Sequence, residues 1–186
     1  MALIVCARAR DCAEITFHKF ADELEAKDAA GQYAFGAGAN EKHRVTWEGI
    51  AVWTYLGATF KGLKNVGSVM TGSAYPGLWS LVYTPGDLES MAEAYTNVYI
   101  NTCGSNRYEE FYKVVSNSKS DGMVLHLNRS CKLMGLLNNE GAEYVNAKMG
   151  IPFVSFDGDQ TDPNVFSQAQ YETRVQALSE MMDNNK

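Results

Sequence analysis

The chain has 186 residues, a length typical of one globular domain, and its 46% hydrophobic content argues against disorder. Its 16 Lys and Arg against 22 Asp and Glu give a net charge of −6, so no basic face for nucleic acid or an anionic membrane is expected. No apolar run reaches the ~20 residues that cross a bilayer, and the apolar opening at 2–7 is too short for a signal peptide. We therefore expect a soluble, cytoplasmic protein.

The first predicted element is a helix over 11–30. Phe17, Phe20, Ala21 and Leu24 follow the spacing of an apolar helix face, and the glycines after residue 30 end it. This helix has little nearby to pack against before the loop that follows. We expect residues 1–40 to be a helix and linker left from a larger subunit, with residues 41–186 as an α/β domain.

From residue 43 onward, short apolar runs alternate with amphipathic stretches. Strands are predicted within 45–53 and at 67–71, 122–127 and 151–156, and a further segment at 54–64 follows the first of them. Helices are predicted at 88–98, with Asp87 as the cap, at 108–116 and at 133–149, with a last one from Asp162-Pro163 to Met182. Apolar runs separated by helices are typical of a parallel sheet covered on both faces. The predicted fold is a three-layer α/β domain of the flavodoxin or Rossmann type, preceded by an N-terminal helix. Ligands of such folds bind at the carboxyl ends of the strands.

The four cysteines stand at positions 6, 12, 103 and 131, and no two form a Cys-x-x-Cys pair. Zinc ribbons and thioredoxin-type motifs are therefore not indicated. From spacing alone, each cysteine is expected to be a small buried or inert residue.

Polar residues follow the predicted strand at 122–127, in the sequence His126-Leu-Asn-Arg-Ser-Cys-Lys132. If a helix begins near residue 132, Cys131 lies at its N-terminus between Arg129 and Lys132, and all three features favour the thiolate. Such a thiolate could act as a nucleophile or an iron ligand. The alternative is a Ser130 cap beside a buried cysteine, and His126 alone in an apolar strand is more often a core residue.

Carboxylates follow the predicted strand at 151–156. Asp157, Asp159 and Asp162 could bind Mg²⁺, and Asp-x-Asp-x-Thr after a strand imitates the nucleophile motif of haloacid-dehalogenase-type phosphatases. That fold needs further strands and a downstream Lys, yet only one predicted helix follows the motif. A plain turn that precedes the last helix is the alternative. Gly57 and Gly62 have the spacing of a phosphate-binding loop, but Leu63 replaces its lysine, so ATP hydrolysis by this chain is not indicated.

Several motifs together make the sequence recognisable. They are His126–Lys132, Ile151–Pro163, Phe166–Gln170 with Thr173-Arg174, and upstream Trp47–Ile50 and Gly86–Tyr95. In this order they resemble the C-terminal half of the 2-hydroxyacyl-CoA dehydratase subunits, of the α-subunit type. The resemblance extends from about residue 10 to the end of the chain.

The resemblance implies part of a heterodimeric iron–sulfur lyase. Family members carry [4Fe-4S] clusters and eliminate water from (R)-2-hydroxyacyl-CoA to give 2-enoyl-CoA, through a ketyl radical that forms after one-electron activation. The expected partners are a paralogous subunit, an ATP-dependent iron–sulfur activator and the acyl-CoA substrate. A cluster with three cysteine ligands leaves one iron open to bind the substrate's oxygen.

Carried onto this sequence, the resemblance implies Cys131 and Cys103 as cluster ligands, and His126, Asn128, Arg129 and Ser130 as residues that line the substrate cleft. Arg129 would meet an acyl carboxylate or a CoA phosphate. Family subunits are longer, so we expect the isolated chain to fold yet to hold no stable cluster and to be inactive. The alternatives are a non-catalytic module for subunit association or CoA binding, and a Mg²⁺-dependent phosphatase that uses Asp157 and Asp159.

Overall fold

The computed structural model describes residues 41–76 and 81–185 of the chain. The chain divides into two compact units, Met1–Glu41 and Lys42–Lys186, and the second contains every strand and helix of the described residues. The helix predicted at 11–30 lies outside the described residues.

Four parallel strands form the sheet, in the spatial order β2-β1-β3-β4. They are β1 (His43–Glu48), β2 (Ser68–Ser73), β3 (Gly122–Asn128) and β4 (Phe153–Gly158). Strand β1 pairs with β2 on one side and with β3 on the other, so the chain changes direction across the sheet at β1. In doubly wound folds, the crevice at the carboxyl ends of such a strand pair is where ligands bind.

Five α-helices accompany the sheet in the described residues. They are α1 (Leu56–Asn65), α2 (Leu88–Thr96), α3 (Gly104–Asn117), α4 (Lys132–Met149) and α5 (Gln168–Asn184), and a short 3-10 helix at Trp53–Tyr55 precedes α1. Helices α1 and α5 pack on one face of the sheet, and α3 and α4 pack on the other. The predicted α/β fold with a parallel sheet between helices is confirmed.

The alternation of side chains along β3 builds two hydrophobic cores. Val124 joins Trp47, Phe156 and Tyr171 on the α1/α5 face. Met123 and Leu125 join residues of α3 and α4 on the opposite face. Because successive side chains of a strand point to opposite sides, a continuous apolar run is what a sheet covered on both faces requires.

One predicted boundary is wrong. The last helix begins at Gln168 with Ser167 as its cap, not at Asp162-Pro163. The Asp162 carboxylate instead accepts the backbone N–H of Asn164, two residues on, at 2.9 Å. An aspartate followed by proline suits a turn of this kind as well as a helix start, so the sequence alone does not separate the two.

Most other boundaries lie within about two residues of their predicted positions, but α3 begins at Gly104 and not at Tyr108. Asp87 caps α2 as predicted, because its carboxylate accepts the backbone N–H groups of Glu89 and Ser90 at 3.0 and 3.1 Å. Helix α4 begins at Lys132, so Cys131 occupies its N-cap position. None of the helices in the described ranges is both long and apolar enough to cross a membrane.

Candidate functional site at the carboxyl edge of the sheet

The loops that follow β3 and β4 are bonded to each other through Ser130 and Asp159. The Asp159 carboxylate accepts the Ser130 hydroxyl and, at 3.0 Å, the Ser130 backbone N–H. It also accepts the backbone N–H groups of Thr161 and Asp162 at 2.9 and 3.0 Å. These donors, the Ser130 hydroxyl foremost, hold the pKa of Asp159 well below its usual range. Asp159 is therefore an ionised residue that fixes the two loops together.

Asn128, at the end of β3, reinforces the same connection. Its side chain is buried, and its Oδ1 lies 3.3 Å from the backbone N–H of Gln160 and 3.4 Å from that of Ser130. A buried amide oxygen that meets N–H groups from two loops favours one arrangement of both. Asn128 thus stabilises both loops of the predicted site.

Arg129 and Asp157 form a more exposed pair at this edge. The guanidinium Nη2 lies 3.0 Å from Asp157 Oδ1, and both side chains remain largely open to solvent. An exposed ion pair contributes little to stability, so the guanidinium can exchange its partner for an incoming anion at small cost.

Cys131 is presented by the loop that these contacts fix. It is half-buried, its backbone N–H donates to Asn128 O at 3.0 Å, and its carbonyl accepts the first helical hydrogen bond of α4 from Gly135. The thiol lies at the carboxyl edge of a parallel sheet and at a helix N-terminus, as predicted.

Cys103 occupies the corresponding position at the start of α3 and is exposed. Its Sγ lies 3.3 Å from the Ser105 hydroxyl, which is the main cause that lowers the pKa of the Cys103 thiol. Both features favour the thiolate form that binds metals.

Two contacts place the starts of α3 and α4 side by side. Arg107, one turn after Cys103, donates from Nη2 to Met134 Sδ at 2.9 Å and to Asn138 Oδ1 at 2.8 Å. Cys131 stands three residues before Met134. Both predicted cluster ligands therefore lie at the same end of two neighbouring helices.

The donor set in the described ranges suits part of an iron–sulfur ligand shell. Thiolates are the ligands that such clusters take, and Cys103 and Cys131 are free. No group of three or more metal-ligating side chains is found among the described residues.

His126 is packed in the core beneath this edge. Its ring is fully buried, stacks on Phe156 at 5.2 Å between centroids, and has Nδ1 2.5 Å from the carbonyl oxygen of Ile50. Burial lowers the pKa of His126, so the ring is neutral at physiological pH. Its Nδ1–H donates to the Ile50 carbonyl, which fixes the loop after β1.

Sequence reasoning missed a buried charged cluster at the end of β1, formed by Glu48, Tyr99 and Arg107. The Tyr99 hydroxyl donates to Glu48 Oε1 at 2.5 Å, and Arg107 Nη2 lies 3.6 Å from the same oxygen. The guanidinium carbon also lies 4.7 Å from the centre of the Tyr99 ring. Burial raises the pKa of Glu48 to about 7, against the opposing effects of Tyr99 and Arg107.

Two signals in the sequence could have revealed this cluster. Arg107 shares a helix face with Phe111 and Val115, since the three are spaced by four residues and all are buried. Glu48 ends β1 directly after the buried Trp47 and is itself buried. A charged residue at a core position of each element indicates a buried pair.

A cavity of about 450 Å³ adjoins this cluster. Its wall includes Ala74, which follows β2, Ala94 of α2, Val114 of α3, and Tyr99. Cavities of this size accommodate small ligands. Tyr99 therefore belongs both to the cavity wall and to the buried charged cluster.

The parallel sheet and the residues at its carboxyl edge define a doubly wound α/β protein. Its thiol and polar side chains lie at the carboxyl ends of the strands. The profile of the family described as 2-hydroxyglutaryl-CoA dehydratase, D-component, matches residues 1–182. The chain belongs to this family, and the predicted resemblance is confirmed.

Curated relatives agree with this assignment. The chain is 60% identical over its full length to the lactoyl-CoA dehydratase subunit alpha of Anaerotignum propionicum, of which it covers 44%. It is 42% identical to the (R)-2-hydroxyisocaproyl-CoA dehydratase alpha subunit of Clostridioides difficile and covers 45% of it. It is 37% identical to the (R)-2-hydroxyglutaryl-CoA dehydratase subunit alpha of Acidaminococcus fermentans and covers 38% of it. The chain thus spans less than half the length of these relatives.

Proposed function

We propose that this chain forms part of the α subunit of a 2-hydroxyacyl-CoA dehydratase, a carbon–oxygen lyase that converts (R)-2-hydroxyacyl-CoA into 2-enoyl-CoA. The observation that carries the proposal is the position of Cys131. It stands at the N-terminus of α4 and at the carboxyl edge of the sheet, on a loop fixed by Asn128 and Asp159. Membership of the dehydratase family supplies the reaction class.

A [4Fe-4S] cluster is the proposed cofactor, with Cys131 and Cys103 as the thiolates that this region contributes. When bound, such a cluster supplies Lewis-acid and one-electron chemistry. Both sulfurs belong to N-cap residues, of α3 and of α4. The Ser105 hydroxyl adds a hydrogen bond at Cys103.

The chemical difficulty of the reaction explains the proposed partners. The hydrogen that must leave is β to the thioester, which does not acidify it. A single electron reduces the thioester to a ketyl radical anion that can expel the α-hydroxyl group, and the resulting radical then acidifies the β-hydrogen. We propose that a separate ATP-dependent iron–sulfur activator delivers this electron and that a paralogous subunit completes the enzyme.

Arg129 is the proposed contact for the anionic part of the substrate. Its guanidinium is largely exposed and has only the exposed carboxylate of Asp157 as its ion-pair partner in the described ranges. A CoA phosphate or an acyl carboxylate can therefore displace Asp157 and form a two-pronged contact. Asn128 and Ser130 hold the backbone on either side of Arg129 in place.

The structure does not favour the magnesium-dependent phosphatase that the Asp-x-Asp pattern suggested. Asp157 is paired with Arg129, and Asp159 accepts hydrogen bonds from its own loop and from Ser130. Both carboxylates are thus already paired with groups of the protein.

The test uses the complete dehydratase that contains this chain, with its partner subunit and activator. Lactoyl-CoA is the first substrate to try, because the relative at 60% identity is named for it. Cys131→Ser is expected to lose both bound iron and enoyl-CoA formation. Cys6→Ser and Cys12→Ser, cysteines expected to be structural, are the matched controls. Full turnover by Cys131→Ser would favour a non-catalytic module instead.

A second measurement addresses the chain by itself. After anaerobic reconstitution with iron and sulfide, we expect no stable cluster, since the described residues offer fewer than three grouped ligands. Four irons bound per chain would contradict this expectation.

A further inference from the structure

The dehydration leaves one chemical requirement unassigned, which is a group that holds a proton. The reaction breaks a C–H bond at the β-carbon and a C–O bond at the α-carbon and forms the C=C bond. The proton and the departing hydroxide leave together as water, so the reaction as a whole is redox-neutral. Between its loss from carbon and its return to the hydroxide, a positioned side chain can hold the proton and accelerate both transfers.

Glu48 has the placement that such a group requires. It ends β1, the strand at which the chain changes direction across the sheet, so it lies where ligands of doubly wound folds bind. Its side chain is almost completely buried, at 1% exposure. Its second carboxyl oxygen, Oε2, has no hydrogen-bond partner among the described residues. A buried carboxyl oxygen without a partner is costly in the charged form.

Tyr99 connects this carboxyl with the cavity. Its hydroxyl donates to Glu48 Oε1 at 2.5 Å, while the same residue forms part of the cavity wall. The wall combines apolar side chains with Glu93 and Glu110. That lining suits an uncharged acyl or pantetheine chain better than the phosphates of CoA.

We propose that Glu48 is the proton-exchanging carboxyl of this site and that Tyr99 carries the proton between it and the cavity. The Tyr99 oxygen accepts a proton from the cavity while its own proton passes to Glu48 Oε1, and the reverse movement returns the proton to the leaving hydroxide. No oxidant, reductant or co-reactant is needed for this exchange. The inference rests on the proposed dehydration.

Arg107 is the positioning residue of this arrangement. Its guanidinium lies 3.6 Å from Glu48 Oε1, packs against the Tyr99 ring, and is anchored to α4 through Asn138. In the described ranges, Tyr99 and Arg107 are the titratable and charged groups that act on Glu48. Arg107 favours the ionised carboxylate and burial favours the neutral acid, with burial the larger effect. The opposition leaves both protonation states accessible near neutral pH.

The first test is an infrared pH titration of this chain, which needs no cofactor and no turnover. We expect the C=O band of a protonated carboxyl to persist to near neutral pH in the wild type and to be missing in Glu48→Gln. Glu143→Gln, a change at an exposed position of α4, should keep the band. Tyr99→Phe should move its midpoint to higher pH, because the lost hydrogen bond stabilised the charged form. A band that survives in Glu48→Gln, or a midpoint that Tyr99→Phe does not move, overturns the proposal.

The second test measures turnover in the complete dehydratase. Glu48→Gln and Tyr99→Phe are expected to lower kcat by about 100-fold or more with KM nearly unchanged, which is the range of general acid–base effects. Unchanged kcat in Glu48→Gln, beside an active wild type, overturns the inference. A wild type that forms no enoyl-CoA overturns the proposed function itself, and the infrared titration then decides whether Glu48 exchanges a proton.

Discussion

Arg107 of α3 donates a hydrogen bond from Nη2 to Asn138 Oδ1 of α4 at 2.8 Å, and both side chains are buried. Through this contact, and through Glu48 at 3.6 Å, one guanidinium joins two helix N-termini to the end of the central strand β1. Cys103 stands four residues before Arg107, and Cys131 stands seven residues before Asn138. The buried guanidinium of Arg107 thereby holds together the two helices that begin at the candidate ligands.

Loss of the guanidinium should destabilise the fold strongly. Arg107→Met leaves Glu48 without its cation and Asn138 without its donor, so we expect a loss of about 3–5 kcal/mol in the free energy of unfolding. Urea denaturation followed by circular dichroism measures it. The double variant Arg107→Met/Glu48→Gln should recover part of the loss, because it removes the uncompensated charge. A double variant as unstable as the sum of both single variants would show that the two groups are not coupled.

The raised pKa of Glu48 predicts how the stability of the fold depends on pH. The folded state, with this pKa at about 7 against an ordinary 4.5, binds more protons than the unfolded chain between these values. Stability due to this group is therefore full below the ordinary pKa and is lost as the pH rises towards 7, with a slope of at most about 1.4 kcal/mol per pH unit. Glu48→Gln should flatten the slope. Equal pH dependence in both proteins, measured by urea denaturation, would contradict this.

Asp159 should behave in the opposite sense. Its pKa lies below the ordinary value, so its contribution is present above that value and is lost as the pH falls below it. Asp159→Asn should make the fold less sensitive to acid. It should also speed hydrogen exchange at the backbone N–H groups of Ser130, Thr161 and Asp162, which the carboxylate accepts. Unaltered protection of these three amides, measured by NMR, would argue against the proposed loop connection.

Two glycine substitutions should have opposite effects on the stability of the fold. Gly49 has φ +95°, and a Cβ there would lie 2.6 Å from the His126 carbonyl oxygen. Gly49→Ala is therefore expected to cost about 1–3 kcal/mol. Gly57 lies within α1, and a Cβ at this position would meet no other atom within 4 Å, so Gly57→Ala should instead stabilise by about 0.5–1 kcal/mol. Thermal unfolding of the two variants and the wild type measures both effects. A shift of the melting temperature in the same direction in both variants would contradict the strain at Gly49.

The two thiols should differ in reactivity. Cys103 is exposed and has a lowered pKa, whereas Cys131 is half-buried. Iodoacetamide at neutral pH should therefore modify Cys103 first, as peptide mass spectrometry can show. Ser105→Ala should slow this reaction, since the hydroxyl is the main cause of the lowered pKa. Faster modification at Cys131, or no effect of Ser105→Ala, would contradict the local geometry.

Much of the architecture could be predicted because it depends on local pattern. The apolar runs at 122–127 and 151–156 became β3 and β4, and the Asp87 cap starts α2 as expected. The start of the last helix could not be predicted, since Asp162-Pro163 suits both a turn and a helix start. The helix begins later, at Gln168, and Phe166 and Tyr171 pack into the core there.

The candidate site divides in the same way. Cys131 at the start of α4 followed from sequence order alone, because a polar segment between a strand and a helix must lie at the carboxyl edge of the sheet. The bond between Ser130 and Asp159 could not be foreseen, since the two are 29 residues apart and meet only because β3 and β4 pair.

The order of strands and helices, the family and the place of Cys131 before α4 could all be predicted along the chain, since these depend on periodicity and on sequence neighbours. Only the tertiary structure brought Glu48, Tyr99 and Arg107 together, from three segments separated by up to 59 positions. The reason is physical: a charged side chain reveals its role only when the surrounding core removes its water and a distant segment supplies its partner.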